Sequence, residues 1–231
     1  MVIGSGLLAT AFESFYQNDD DICFFASGVS DSTCRDKSEF EREKKLLMKN
    51  ISKYYNVGSF VYISTCSIED PCSVDTPYVR HKREMESIVL EHSRSIIFRL
   101  PQVVGKTGNP NTLIRFLHLS IETGKKFELW KYANRNIIDI DDVVLIISYY
   151  IANVPLRQRI LNVANPVNYT MLEIVNSLEV ALDKKGVYRL VERGGSYCID
   201  ISEIYPIIKE SGVFFGKHYL SKIMKKWVKT T

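Results

Sequence analysis

Tyr78 and Lys82 stand four residues apart just behind Pro77, and a short way upstream the run Tyr62-Ile63-Ser64-Thr65-Cys66-Ser67 ends an apolar stretch in hydroxyls. Side chains at i and i+4 share a helix face, so a phenol and an ammonium would lie side by side. A free tyrosine, titrating at about 10, exchanges protons poorly at neutral pH. An ammonium about 4 Å away offers roughly 4 kcal/mol at an effective dielectric of about 20, enough to lower that pKa by up to about 3 units. Thr65 would then bind the oxygen of a carbinol or carbonyl while Tyr78 exchanges its proton. On its own, a tyrosine four residues before a lysine is a common pattern that reads as a solvated helix face. Its meaning rests on the elements that would carry it.

Those elements alternate. Residues 1–12 read as a very short strand, a glycine turn and an apolar helix start. Gly4, Gly6 and Ala9 fit the G-x-G-x-x-G/A spacing, in which glycines form the turn and let backbone N–H groups approach a pyrophosphate, while a small third residue packs helix on strand. A glycine turn before a helix can also be purely structural. Ile22-Cys23-Phe24-Phe25-Ala26-Ser27-Gly28 reads as a buried parallel strand. Residues 38–50 form an amphipathic helix, with Ser38 as N-cap and Glu41 completing a capping box. A third strand spans 60–64, and Pro77 opens a helix running to about residue 92. A fourth strand spans 95–98, followed by Arg99-Leu100-Pro101 and a loop through Gly105, Gly108 and Pro110.

Further helices are predicted over 111–123, 141–153, 170–183 (Thr170 capping, Glu173 three residues on), 201–210 and 219–228, with strands over 127–130, 160–163 and 187–191. Strands alternating with helices argue for an α/β fold with a parallel sheet and right-handed crossovers.

A chain of 231 residues can bury a real core, and its 45% apolar and 25% charged residues are ordinary for a soluble globular protein. A net charge of +3, spread along the chain, does not imply nucleic-acid binding. The basic run from Lys217 to Lys229 reads as the solvated face of a terminal helix. Five cysteines, Cys23, Cys34, Cys66, Cys72 and Cys198, show no close metal-ligand spacing and read as reduced thiols of a cytoplasmic protein. No basic-then-apolar leader and no apolar run near 18 residues is present, so neither secretion nor membrane spanning is expected.

In this order, the glycine turn, the strand-end Ser64-Thr65, the Tyr78-x-x-x-Lys82 pair and Arg99-Leu100-Pro101 resemble the extended short-chain dehydrogenase/reductases, the NAD-dependent epimerase/dehydratase family. The likeness covers nearly the whole chain. It implies a Rossmann-like sheet, shortened here, over residues 1–110, with residues 111–231 supplying the remaining sheet elements and a small substrate lobe of the same compact unit. It also implies NAD or NADP as cofactor and a nucleotide-diphosphate sugar as substrate. The activity would be that of an oxidoreductase or epimerase in bacterial surface-polysaccharide synthesis.

Residue by residue, the resemblance implies that Thr65 and Tyr78 are catalytic and that Lys82 lowers the tyrosine pKa and holds the nicotinamide ribose. Gly4, Gly6 and Ala9 match the pyrophosphate turn, while Leu7, Ala26-Ser27-Gly28 and Pro101 would also meet the cofactor. Ser67, Arg135 in Arg135-Asn136-Ile137-Ile138-Asp139, and Arg193 would meet the substrate, the arginines through its diphosphate. The bland alternative for both arginines is a surface salt bridge.

Three departures stand out. Only one strand and one helix separate the glycine turn from the catalytic strand. Because Ala26-Ser27-Gly28 resembles the end of the family's fourth strand, the second and third are read as missing, and with them the acidic residue for the adenosine ribose. Cys66-Ser67 replaces the Asp-Glu pair of 4,6-dehydratases, and Glu69-Asp70 replaces a Tyr-Gly. These departures support a second function class, a non-redox or catalytically retired protein that binds a sugar nucleotide or a partner. The resemblance further implies a homodimer, with Phe40, Leu47, Met85 and Val89 filling its interface unless they face their own sheet.

Overall fold

The structure, a computed structural model, describes residues 1–106, 109, 111–155 and 157–228. Gly108 and Pro110 of the predicted loop lie outside the described residues. The first half runs β1 (Val2–Ile3), α1 (Leu7–Tyr16), β2 (Ile22–Phe25), α2 (Lys37–Lys53), β3 (Ser59–Thr65), α3 (Pro77–Leu90) and β4 (Ser95–Leu100). Next come β5 (Gln102–Val104), α4 (Leu113–Thr123), β6 (Phe127–Trp130), β7 (Asn134–Asp139) and α5 (Ile140–Asn153). The chain finishes with β8 (Arg159–Asn162), β9 (Asn168–Thr170), α6 (Met171–Leu182), β10 (Tyr188–Val191), α7 (Tyr205–Glu210) and α8 (Tyr219–Val228).

Five strands form one sheet in the order β1-β2-β3-β4-β8, every neighbouring pair parallel. The Rossmann-like α/β expectation therefore holds, with β1 at an edge beside β2. The period of two along the central strands sorts their side chains onto two faces. Phe24, Val61, Ile63, Ile96 and Phe98 pack with Phe12 of α1 and Ile147 of α5. Phe25, Phe60, Tyr62 and Ile97 pack with Leu47 of α2 and with Met85 and Val89 of α3. Each such fully buried large side chain contributes about 1.5–3 kcal/mol. Because both faces are covered, all seven residues of β3 are buried.

A second core, built on Leu117, Ile121, Ile174, Leu178 and Met224, gathers α4, α6 and α8 around a three-stranded sheet β5-β7-β9 and a two-stranded sheet β10-β6. The arginine-led segment is thus strand β7, pairing parallel with β5 and antiparallel with β9. Its length and its buried Ile137-Ile138 pair suit a strand, and this strand was not among those predicted.

Several expectations are corrected. Asp36, not Ser38, caps α2; its Oδ1 accepts from the Ser38 backbone N–H at 2.8 Å and the Ser38 hydroxyl at 2.7 Å, so the predicted Ser38/Glu41 capping box does not form. The helix starts one turn-forming residue earlier than the charge pattern suggests, and Glu39 takes the first-turn acidic position. The Thr170/Glu173 capping box does form. The helix predicted over 201–210 begins only at Tyr205, ahead of Pro206, because the residue before a proline is pushed out of the helical region unless it opens the helix. Leu47, Met85 and Val89 are fully buried against their own sheet, and Phe40 stacks on His81 with ring centres 4.6 Å apart. That set does not form an outward face for a second copy. Among the described residues no helix is long and apolar enough to cross a membrane.

Candidate active site

The carboxyl ends of the parallel strands open onto a cleft of about 680 Å³. At one side, β1 ends in Gly4, whose φ of +136° suits glycine alone; a Cβ there would come within 2.8 Å of the Ala26 carbonyl oxygen and 3.0 Å of the Ala9 Cβ. The small third residue of the glycine spacing is therefore part of the same close packing. Gly4 sits behind the cleft rather than in its lining. Gly6 and Leu7 do line it, at the start of α1, where Gly6 is an N-cap without a side chain and no acidic residue stands in the first turn. The first N–H groups of such a helix suit an anion.

Opposite, β3 pairs with β4 so that Thr65 lies beside Leu100 at the sheet's rim. The Thr65 Oγ1 accepts the Ser67 backbone N–H at 3.1 Å, which starts a short 3₁₀ turn over Cys66–Glu69 and brings Ser67 into the cleft. Thr76 caps α3, its Oγ1 accepting from the Val79 N–H at 3.2 Å, and Pro77 fills the first turn where its missing N–H costs nothing. Tyr78 is thereby held at the head of the helix, buried and lining the cleft together with Thr65. Lys82 follows one turn later, its ammonium 6.0 Å from the centre of the Tyr78 ring. Ala26, Ser27, Gly28, Pro101 and Arg135 complete the predicted residues lining the cleft. Ser64 lines it too, and its buried hydroxyl has no hydrogen-bond partner among the described residues.

Arg193 is not part of this lining. It lies just beyond β10, about two-thirds exposed, with Glu128 at 4.0 Å, which is the surface salt-bridge alternative. Arg135 donates through Nη1 to the Asn134 carbonyl at 2.7 Å while facing the cleft from β7.

The electrostatics of the tyrosine differ from the expectation. Burial pushes the Tyr78 hydroxyl above its ordinary value; Lys82 and Thr65 pull it down, and Glu43 and Asp31 push it up again. The net direction is upward, so Lys82 does not produce the lowered phenol pKa that the four-residue spacing suggests.

Burial is the main reason, and Glu43, which sequence reasoning missed, adds to it. Reaching in from α2, its Oε1 accepts from the Lys82 ammonium at 2.7 Å and from the Tyr62 hydroxyl at 2.9 Å. Its Oε2 meets His81 Nε2 at 2.9 Å and accepts the Val29 N–H at 2.8 Å. Burial alone would raise this carboxyl, but Lys82, His81 and Val29 together bring it down to about 2. The signal was available: Phe40, Glu43, Leu47 and Asn50 fall at helical spacing on one stripe of α2, and a glutamate inside such a stripe demands a partner. Amid the charged run from Glu39 to Lys45 it reads instead as surface.

A phenol, a hydroxyl and an ammonium thus line a cleft that also takes in a helix start suited to an anion. Together they can hold a polarised oxygen, supply it with a proton, and bind a phosphate-bearing ligand alongside.

Residues 45–164 match the model of the NAD dependent epimerase/dehydratase family. Among solved structures, dTDP-glucose 4,6-dehydratase from Bacillus anthracis in complex with NAD superposes with a TM-score of 0.71 at 16% identity, over 96% of this chain and 76% of that one. RMD from Pseudomonas aeruginosa, complexed with NADPH, gives 0.75 at 13% identity over 100% and 98%. UDP-N-acetylglucosamine 4-epimerase from Methanobrevibacter ruminantium, in complex with UDP-N-acetylmuramic acid, gives 0.72 at 15% over 90% and 76%. At such identities the likeness establishes the fold. No curated protein sequence matches the chain.

Proposed function

The chain belongs to the NAD dependent epimerase/dehydratase family, whose model spans more than half of it, and from that premise we propose that it is an NAD- or NADP-dependent oxidoreductase or epimerase of a nucleotide-diphosphate sugar. One observation carries the reading: Thr65, Tyr78 and Lys82 converge on the cleft into which α1 opens its N-terminus. Solved neighbours of the same fold were crystallised with NAD, with NADPH and with a UDP-sugar, which supports both ligand classes.

In this proposal Gly6 and Leu7 would hold the pyrophosphate of a dinucleotide, because backbone N–H groups at a helix start and the helix dipole favour an anion. The orphaned Ser64 hydroxyl and the open, uncharged helix start fit such a group. When bound, the nicotinamide supplies or accepts a hydride at a sugar carbon. Thr65 holds the oxygen on that carbon, and Tyr78 gives it a proton in the reductive direction. Lys82 spends two of its three N–H donors on Glu43 and Tyr62, the latter at 3.3 Å, and keeps the third for a ribose hydroxyl. Arg135 offers a planar fork to the sugar nucleotide's diphosphate. Cys66-Ser67 in place of a carboxylate pair favours reduction or epimerisation over loss of water. A role in surface-polysaccharide assembly belongs to the same proposal by family analogy alone.

The test is calorimetric titration with NAD, NADH, NADP and NADPH, followed by a sugar-nucleotide turnover screen. Micromolar binding of one dinucleotide is expected. Failure of all four to bind would overturn the redox reading in favour of a sugar-nucleotide or partner-binding protein on a sheet whose β1 edge ends without further strands.

A further inference from the structure

Glu43 occupies a position whose neighbours all belong to the candidate site. It is 2% exposed, and its four hydrogen bonds use both lone-pair directions of each carboxylate oxygen. A carboxylate so satisfied is fixed in place. The fit around it is tight: a Cβ on Gly28 would meet the Lys82 ammonium at 2.8 Å and the Glu43 Oε1 at 2.9 Å, so the glycine at the end of the β2 loop makes room for this ion pair. Lys82 in turn is 4% exposed and points from the pair toward the cleft.

We propose that Glu43 is a positioning residue that anchors the Lys82 ammonium from behind and offsets its charge at Tyr78, so that Tyr78 rests as a protonated phenol. Its bearing on the reaction rests on the reading of Tyr78 as the acid/base; the electrostatic coupling does not. An ammonium alone beside a phenol stabilises the phenolate; an ammonium neutralised by a fixed carboxylate does so much less. The groups facing the Tyr78 hydroxyl are few. They are Lys82 on its own helix, Thr65 and Tyr62 on β3, Glu43 on α2 and Asp31 in the loop before α2, with Arg135 of β7 on the far side of the cleft. Of the two anions, Glu43 is the buried one bonded to Lys82, whereas Asp31 is half-exposed and turned to the backbone and hydroxyl of Thr33. The pair therefore behaves as a unit: Lys82 keeps a donor for a ligand hydroxyl without making Tyr78 a base at neutral pH.

The experiment is an NMR titration of the full chain carrying ¹³C at the tyrosine Cζ, with no nucleotide added. Among the thirteen tyrosines, the Tyr78 signal is identified by its loss in Tyr78→Phe. In the parent protein that signal is expected to hold still up to about pH 10, the range of a free phenol. In Glu43→Gln it is expected to titrate within that range, about one pH unit or more below the parent. Should Glu43→Gln fail to fold, Glu43→Gln/His81→Gln, whose two amides can bond to each other, carries the same expectation. A variant signal that also holds still to pH 10 overturns the proposal, as does a parent Tyr78 that titrates well below a free phenol. A purely structural role for Glu43 would lower stability and leave the Tyr78 titration where it was. Because no dinucleotide is present, failure of the cofactor titration above leaves this result standing, and the reverse holds as well.

Discussion

The Lys82 ammonium lies 2.7 Å from the Glu43 carboxylate and 6.0 Å from the centre of the Tyr78 ring, so the one cation of the Tyr-x-x-x-Lys pair is held by a buried anion behind it. This relationship governs acid stability as well as chemistry. Glu43 has its carboxyl held at about 2 against an ordinary 4.5. A group whose pKa is depressed on folding stabilises the fold above its unfolded value and loses that contribution as pH falls through the folded one. Glu43 therefore contributes on the order of 3 kcal/mol at neutral pH, lost progressively as pH falls from about 4.5 toward 2. Urea unfolding at pH 7, 4.5 and 3 should show stability falling over that window. In Glu43→Gln the protein should be weaker at pH 7, with a smaller fall on acidification; equal slopes would mean other carboxylates carry the acid transition.

Replacing Tyr78 by Phe removes one hydroxyl from a helix head fixed by Thr76 and Pro77. Fold and dinucleotide affinity should be preserved while kcat falls about 10²–10⁴-fold, the range for one general acid. Turnover with a sugar nucleotide, set beside the calorimetric affinity of the same variant, checks this. Unchanged turnover would remove Tyr78 from the reaction.

Much of this arrangement is legible in the residues. Apolar runs bounded by turn residues identify β2, β3 and β4, and Pro77 marks the start of α3, because these signals are local. Thr65, Tyr78 and Lys82 stand out through their spacing only in the company of the glycine turn and Arg99-Leu100-Pro101, which together carry the family resemblance. What escapes is non-local. Nothing near Glu43 in the chain says that Tyr62, 19 residues on, and His81 and Lys82, some 38 and 39 residues on, will surround it. Strand β7 depends on β5 and β9 for its hydrogen bonds, and its polar first half hides its period. Leu47, Met85 and Val89 read as helix-face apolar residues, and only the sheet beneath decides that they turn inward.

Gly4 separates the structural demands of the turn from those of the ligand. Its positive φ and the 2.8 Å approach to the Ala26 carbonyl leave no room for a side chain. Gly4→Ala should cost about 1–3 kcal/mol and shift the start of α1, weakening dinucleotide binding as well. A Cβ on Gly6 meets nothing within 4 Å. Gly6→Ala replaces the N-cap of α1 by a poorer capping residue, so it should cost only about 0.5–1 kcal/mol and act mainly on ligand affinity. Thermal unfolding and calorimetry on the two variants distinguish the roles; equal destabilisation by both would mean the turn is uniformly strained.

The two arginines expected at the sugar nucleotide part company in the same way. Arg135 reaches the cleft from β7, whereas Arg193 stays at the surface near Glu128. Charge-assisted hydrogen bonds contribute about 1.5–3 kcal/mol, so Arg135→Ala should raise the KM for the sugar nucleotide about 10- to 100-fold. Its kcat should change little, because the diphosphate is bound alike before and during the chemical step. Arg193→Ala removes an exposed pair worth about 1 kcal/mol or less and should alter neither constant. Steady-state kinetics of both variants on one substrate decide the matter. A KM effect at Arg193 equal to that at Arg135 would require the sugar nucleotide to extend past β7 to the end of β10, and would shift the substrate site toward the β6 and β10 sheet.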